Sequence, residues 1–172
     1  METEAIEVGV VMQRIALQNR WQPYQWRPLE IVGEAVAPDG AGRCLRADEG
    51  DTRWLFPGFE VRLFSDEAEG YFLNINAAAP CWFIMWRLDQ VDGVEVALPK
   101  TVTLSYNEAA RLMDGGEQVD TLPLSPATLE RLVAFTQAHY QPEHKRKRKR
   151  PSFEGGAEVE RMARAEGGQH GG

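Results

Sequence analysis

Asp66, Glu67 and Glu69 are the residues of this chain whose type and spacing come nearest to acid–base or metal chemistry. Carboxylates held close together serve as general acid and base, or as hard oxygen ligands for a divalent cation. No His, Cys or third oxygen ligand stands at a useful spacing from them, so a solvated turn is the simpler reading. His139 and His144 flank Tyr140-Gln141-Pro142-Glu143, and the proline blocks the helical spacing that would aim both rings at one ion. The sequence contains no GxxxxGK followed by Ser or Thr, no GxGxxG, HExxH or GxSxG, and no Cys/His pair arranged as nucleophile and base. These absences disfavour an ordinary nucleotide-binding or hydrolytic enzyme. We therefore expect no catalytic residue, no metal and no cofactor.

Two other groups of residues point to binding. Lys145, Arg146, Lys147, Arg148, Lys149 and Arg150 form an unbroken cationic run in a chain of 19 Lys+Arg and 26 Asp+Glu, net charge −7. Residues 1–144 hold 11 of those cations and 22 of the acids, so a basic handle is joined to an acidic body. Adjacent cations repel one another, which keeps the run extended and ready to meet a polyanion. Three readings compete: a solvated run without a specific partner, a handle for an acidic protein surface, or a handle for nucleic acid or anionic lipid. The acidic body argues against nucleic acid coating the whole surface. The second group is the loop region Arg20, Trp21, Tyr24, Trp26 and Arg27, whose residue types dominate binding hot spots. The alternative is that both Trp rings cap the open end of a sheet core. An exposed ring points to a protein interface, since a base-stacking platform wants cations spread through the body.

The elements that must position these residues follow from patterning. Ile6, Val8, Val10 and Met12 alternate with Glu7, Gly9, Val11 and Gln13, the two-residue period of a strand. Pro28 to Val36 predicts a second strand, 39–53 a loop, and Trp54-Leu55-Phe56 before Pro57-Gly58 a short edge strand. Phe59, Val61 and Leu63, then a turn over Ser65 to Gly70, then Tyr71, Leu73 and Ile75 predict a β-hairpin with the three acids at its tip. Cys81 to Leu88 is apolar and aromatic except for Arg87 and predicts a central strand. Val94 to Leu104 follows, with Pro99 marking an edge or a bulge. Ser105 with Glu108 is a capping-box pattern before a short helix stopped at Gly115-Gly116. Ser125-Pro126 opens a second helix over about 126–139, with Leu129, Leu132, Val133 and Thr136 on one face.

The expected fold class is α+β: a strongly bent antiparallel sheet or small β-barrel of five to seven strands, followed by two C-terminal helices and a disordered tail. Residues 1–143 are read as a single domain, 144–150 as the basic run, and 151–172 as a disordered Gly-rich tail with too few large apolar residues to offset ordering entropy. Cys44 and Cys81 stand far apart and outside any CxxC pattern, so no disulfide scaffold or metal site is signalled. No stretch approaches the roughly 18 apolar residues of a membrane span. The acidic start Met1-Glu2-Thr3-Glu4 is unlike a secretory signal, and a cytoplasmic location is expected.

The residues Val8 to Arg20-Trp21 with Trp26, Phe59-Glu60-Val61-Arg62-Leu63-Phe64 through Asp66-Glu67-Ala68-Glu69-Gly70-Tyr71-Phe72-Leu73-Asn74, Glu108-Ala109-Ala110 and His139-Tyr140 carry a resemblance. Over about residues 6–150 the chain resembles a proteobacterial family catalogued only as a domain of unknown function, whose genes often stand beside formate dehydrogenase genes. The family brings no established catalytic residues. The resemblance implies a role in assembly, cofactor loading or stabilisation around a molybdenum- or tungsten-dependent formate dehydrogenase. The leading expectation is thus a non-enzymatic accessory protein that binds an acidic protein partner, such as a formate dehydrogenase subunit or accessory protein. The Trp21/Trp26 edge would be the apolar anchor and the basic run would steer encounter. One alternative is a nucleic-acid-binding regulator using the run. Another is a molybdopterin biosynthesis or carrier protein, in which Arg14, Arg20, Arg62 and Arg87 clamp phosphates. Against the latter, the chain lacks the Gly-rich N-terminal nucleotide loop of molybdopterin-guanine dinucleotide transferases.

Overall fold

Ile6, Val8, Val10 and Met12 lie on one side of an extended segment, β1 (Thr3–Ala16), and all four are buried. The computed structural model describes residues 3–33 and 42–142. β1 pairs on one side with β2 (Tyr24–Gly33) and on the other with a long strand, β4 (Asp51–Phe64), which in turn pairs with β3 (Arg43–Asp48). The result is an antiparallel four-stranded sheet of order β2-β1-β4-β3. The expected short edge strand at Trp54-Leu55-Phe56 is in fact the middle of this sheet. Pro57-Gly58 does not end it because the pair forms a bulge: Val8 faces Phe59 and Val10 faces Phe56, so Gly9 opposes two residues. Gly58 takes φ 86°, open to glycine at little cost, and a bulge is where a sheet admits proline. Gly9 suits the bulge, since a Cβ there would press on Pro57 Cα at 3.3 Å and the neighbours would have to shift by a few tenths of an ångström.

The expected loop over 39–53 contains β3 and the start of β4, with residues 39–41 outside the described part. β3 is exposed along its whole length, so it carries no apolar alternation to betray it. The second strand starts earlier than expected, at Tyr24, and its expected last residues 34–36 lie outside the described part.

The expected hairpin at 59–75 is corrected. Its first arm is the end of β4, but one 3-10 turn (Ser65–Glu67) leads into a helix, α1 (Ala68–Ile75). Tyr71, Leu73 and Ile75 fit both periods, and tertiary packing chose the helical one: Ala68, Tyr71 and Asn74, three apart, are buried together. Tyr71 stands edge-on to Phe135 at 5.9 Å, and its hydroxyl accepts the Phe64 N–H at 2.9 Å. Asn74 is 1% exposed; its amide donates to Cys81 O (2.8 Å) and Leu104 O (2.9 Å) and its carbonyl accepts from Cys81 N (3.1 Å). An extended segment would place none of these bonds.

β5 (Cys81–Val91) is central, as its apolar run predicts, in a second antiparallel sheet of order β6-β5-β7, with β6 (Val94–Thr103) and β7 (Gln118–Pro123) at its edges. Trp82 to Met85 are buried in succession, so both faces are covered. Pro99 occupies the edge strand opposite a register shift at Met85/Trp86. Between β6 and β7, α2 (Tyr106–Asp114) starts at Ser105, whose Oγ accepts the Glu108 N–H at 3.1 Å. Glu108 departs from the reciprocal box: it accepts from the Thr103 hydroxyl (2.6 Å), which takes the Ser105 N–H (3.1 Å). The last helix, α3, spans Pro126–His139 as its cap and spacing predict.

The class is α+β, with two antiparallel sheets and three helices in place of one bent sheet and two helices, and no closed barrel among the described residues. The main core gathers Val10, Met12, Leu63, Ile84, Val96 and Leu132 from both sheets and α3. A smaller cluster, Val11 and Leu55 with Leu29 and Val32, lies on the other face of the first sheet. Met1–Tyr140 form one compact unit and Gln141–Gly172 a second, of which only 141 and 142 are described. The basic run and the tail expected to be disordered lie outside the described residues. Among those described, no helix is long and apolar enough to cross a membrane.

Candidate functional site

The aromatic loop joins β1 to β2 and is closed at its base by a 2.7 Å bond from Leu17 N–H to Pro23 O. Asn19 builds the turn: its side-chain oxygen accepts the Trp21 N–H at 2.9 Å and its main-chain oxygen accepts the Gln22 N–H at 3.1 Å. Asparagine suits this role because its amide mimics a main-chain turn. The loop presents Trp21 with 82% of its surface exposed and the Arg20 guanidinium 5.1 Å from its ring centroid. Trp26 is half-buried against the main core. The two rings therefore divide the two readings between them: Trp26 caps the core, and Trp21 is free for contact.

Register decides which cations accompany the aromatics. Arg14 faces Trp26 across the β1–β2 pair, and its guanidinium lies 3.9 Å from the Tyr24 ring centroid. Arg27 faces Gln13 and so projects from the opposite face of the sheet. There, Arg27 Nε donates to Gln13 Oε1 (3.0 Å), Gln13 Nε2 donates to Asp51 Oδ1 (3.0 Å), and Arg53 donates two bonds to Asp51 (3.0 and 2.8 Å). The Arg53 bonds, then the Gln13 bond, hold the Asp51 carboxyl down at about 2, and Asp51 raises Arg53 in turn. Gln13, Asp51 and Arg53 were not singled out from sequence. They belong together only because Gln13 pairs with both Arg27 and Arg53 in neighbouring strands.

The three acids do not share a hairpin tip. They open the 3-10 turn and α1, where negative charge suits a helix start. Glu67 Oε2 accepts from the buried Ser105 hydroxyl at 2.6 Å and lies 3.4 Å from Arg111, tying the start of α1 to α2. Gly70 makes that approach feasible, since a Cβ there would stand 2.1 Å from Ser105 Oγ. His139 packs on Phe135 at 4.4 Å, and His144 lies outside the described residues. No three His, Cys, Asp or Glu among the described residues are placed to hold a metal ion.

Arg14, Arg20, Arg62 and Arg87 are not brought together. Arg62 faces Ala5 and Arg14 faces Thr52, nine positions apart on β1, or about 30 Å along the strand. Arg62 is paired with Glu60, and Arg87, in the second sheet, makes a two-pronged pair with Glu117. A cleft of about 450 Å³ lies between β2 and β7, lined by Ile6, Ile31, Trp82, Leu122 and Leu124.

No curated protein and no solved structure matches the chain. One sequence family matches residues 7–149, which span both sheets and all three helices. On that coverage the chain belongs to the family described as "Protein of unknown function (DUF3305)".

Proposed function

We propose that this chain is a non-enzymatic accessory protein that acts by binding another protein through the β1–β2 hairpin. The observation that carries the reading is Trp21, 82% exposed on a loop that is already braced. A large aromatic contributes most when it is buried on a partner without first having to be ordered. Removing about 200 Å² of such a ring from water contributes on the order of 5 kcal/mol before the costs of association. The sequence resemblance makes the formate dehydrogenase system the partner to test, with assembly, cofactor loading or stabilisation as the role, in the cytoplasm. In this reading the run Lys145–Arg150 raises the encounter rate with an acidic surface and makes association salt-sensitive.

The test is capture of formate dehydrogenase subunits by the tagged full-length chain in a cell that makes the enzyme, with Trp21→Ala and a chain with Lys145–Arg150 replaced by Gln alongside. The expected outcome is a loss of capture by at least about tenfold for Trp21→Ala, with loss of enzyme maturation. The Gln chain should lose most at low salt. Equal capture by the wild type and Trp21→Ala would remove the hairpin from the role, and no capture of any subunit by the wild type would remove this partner.

A further inference from the structure

Ion pairing is unevenly distributed along the chain. Among the described residues, every Lys and Arg from Arg46 to Arg131 has a carboxylate within reach. The four earlier arginines, Arg14, Arg20, Arg27 and Arg43, have no carboxylate partner among the described residues. Residues 1–144 hold 22 acids against 11 cations, so carboxylates are not scarce. Three of the four unpaired arginines lie on the hairpin that presents Trp21: Arg14 on the face of Tyr24 and Trp26, Arg27 on the opposite face, and Arg20 in the loop. Arg14 Nε is, moreover, buried without a hydrogen-bond partner among the described residues. A buried guanidinium N–H with no acceptor is unfavourable.

We infer that the hairpin is a receptor for an acidic polypeptide segment, whose carboxylates pair with Arg14, Arg20 and Arg27 while an apolar side chain covers Trp21. This rests on the reading of the hairpin as a protein-binding element and adds the chemistry of what it binds. A single small anion does not fit, because the three cations are divided between two faces of a sheet and a loop. A polypeptide fits better than nucleic acid. Ala16 N–H bonds to Gly50 O at 3.4 Å, which sets Glu49 and its turn beside the end of β1, with Asp48 and Asp51 on the same turn. A continuous phosphate chain passing the hairpin meets those carboxylates, whereas a polypeptide can place its acids selectively. Arginine also matches the two oxygens of a carboxylate in one planar contact.

The test is an NMR titration of the full-length chain, read at the Trp21 indole N–H, with a short peptide alternating Glu and Leu. Controls are the same peptide with Gln for Glu and a single-stranded DNA of similar length. Because the basic run attracts acidic peptides by itself, the titration is repeated on the chain with Lys145–Arg150 replaced by Gln. The Glu peptide should shift the Trp21 signal in both chains, and at least about tenfold more tightly than the Gln peptide. Arg14→Gln, Arg20→Gln and Arg27→Gln together should weaken it at least about tenfold. The exposed pair Arg20→Gln with Arg27→Gln gives the same direction should the buried site disturb folding. Arg62→Gln, which removes a paired arginine of the same sheet, should change affinity less than about twofold. The inference is overturned if DNA binds at Trp21 more tightly than the Glu peptide, if Arg62→Gln weakens binding as much as the hairpin variants, or if replacing 145–150 abolishes the Trp21 shift. Should Trp21→Ala abolish partner capture while the Glu peptide ignores the hairpin, the docking role survives and the acidic partner does not.

Discussion

Replacing Asn74 by Ala removes one side chain that serves three main-chain groups at once. Its amide and carbonyl join α1 to the start of β5 and the end of β6 through bonds of 2.8, 2.9 and 3.1 Å, and the residue is 1% exposed. Alanine leaves Cys81 N–H, Cys81 O and Leu104 O without this partner. At about 1 kcal/mol net for each bond, with a further penalty for the buried Leu104 carbonyl, the expected loss is about 3–4 kcal/mol. That is a large part of the roughly 5–15 kcal/mol that holds a domain of this size. Urea unfolding of the full-length chain checks it: the midpoint should fall by about 1.5–2 M with an unchanged slope near 2 kcal/mol per M. Asn74→Asp sharpens the test because it keeps the shape and loses the donor. A carboxylate aimed at two carbonyl oxygens is disfavoured, so its folded-state pKa rises above the unfolded value of about 3.9. The penalty should then grow as pH rises through about 4 and shrink below it, where a protonated acid can donate to one carbonyl. A loss under about 1 kcal/mol for Asn74→Ala, or an Asn74→Asp chain as stable as wild type at pH 7, would refute the view that this side chain pins the helix to the second sheet.

Gly70→Ala forces a Cβ to within 2.1 Å of Ser105 Oγ and 3.0 Å of Ser105 Cβ, so the α1–α2 contact must open; thermal melting should show a loss of about 2 kcal/mol that Ser105→Ala does not fully relieve. Burial pushes the Tyr71 hydroxyl up to about 12 from 10.0. The unfolded chain ionises first, so stability should be unaffected below about pH 10 and fall by about 1.4 kcal/mol per pH unit between the two values, a slope absent in Tyr71→Phe; denaturation at a series of alkaline pH values measures it. Cys44 is exposed, whereas burial raises the thiol of the partly exposed Cys81; in native protein a disulfide reagent should therefore modify Cys44 first and Cys81 more slowly.

What was legible in the sequence was whatever short-range chemistry decides. Ser105 and Ser125 had their cap bonds within three residues, Pro126 suited a first helical turn, and so α2 and α3 appear where spacing put them. The alternation of Ile6 to Met12 and the apolar run from Cys81 likewise needed no partner to be read. Tyr71 to Ile75 fit two periods equally well, and only Phe135, Phe64 N–H and the ends of β5 and β6 chose the helix. β3 had no buried face, and Pro57-Gly58 read as a stop until Gly9 was seen opposite to absorb it as a bulge.

The candidate site divides in the same way. Residue type alone marked Arg20, Trp21, Tyr24, Trp26 and Arg27 as a binding composition. Which tryptophan is covered, which arginines lack a carboxylate, and the row joining Gln13 to Arg27 and Arg53 depend on strand register. A change of one residue in register moves every side chain to the other face of a sheet. Caps and periodicity are settled within a turn or two of chain, so the amino-acid order determined the helices α2 and α3, strands β1 and β5, and the acidic body with its basic handle. Exposure, charge pairing and the choice between helix and strand at 68–75 depend on atoms brought together from distant segments, and tertiary structure decided them.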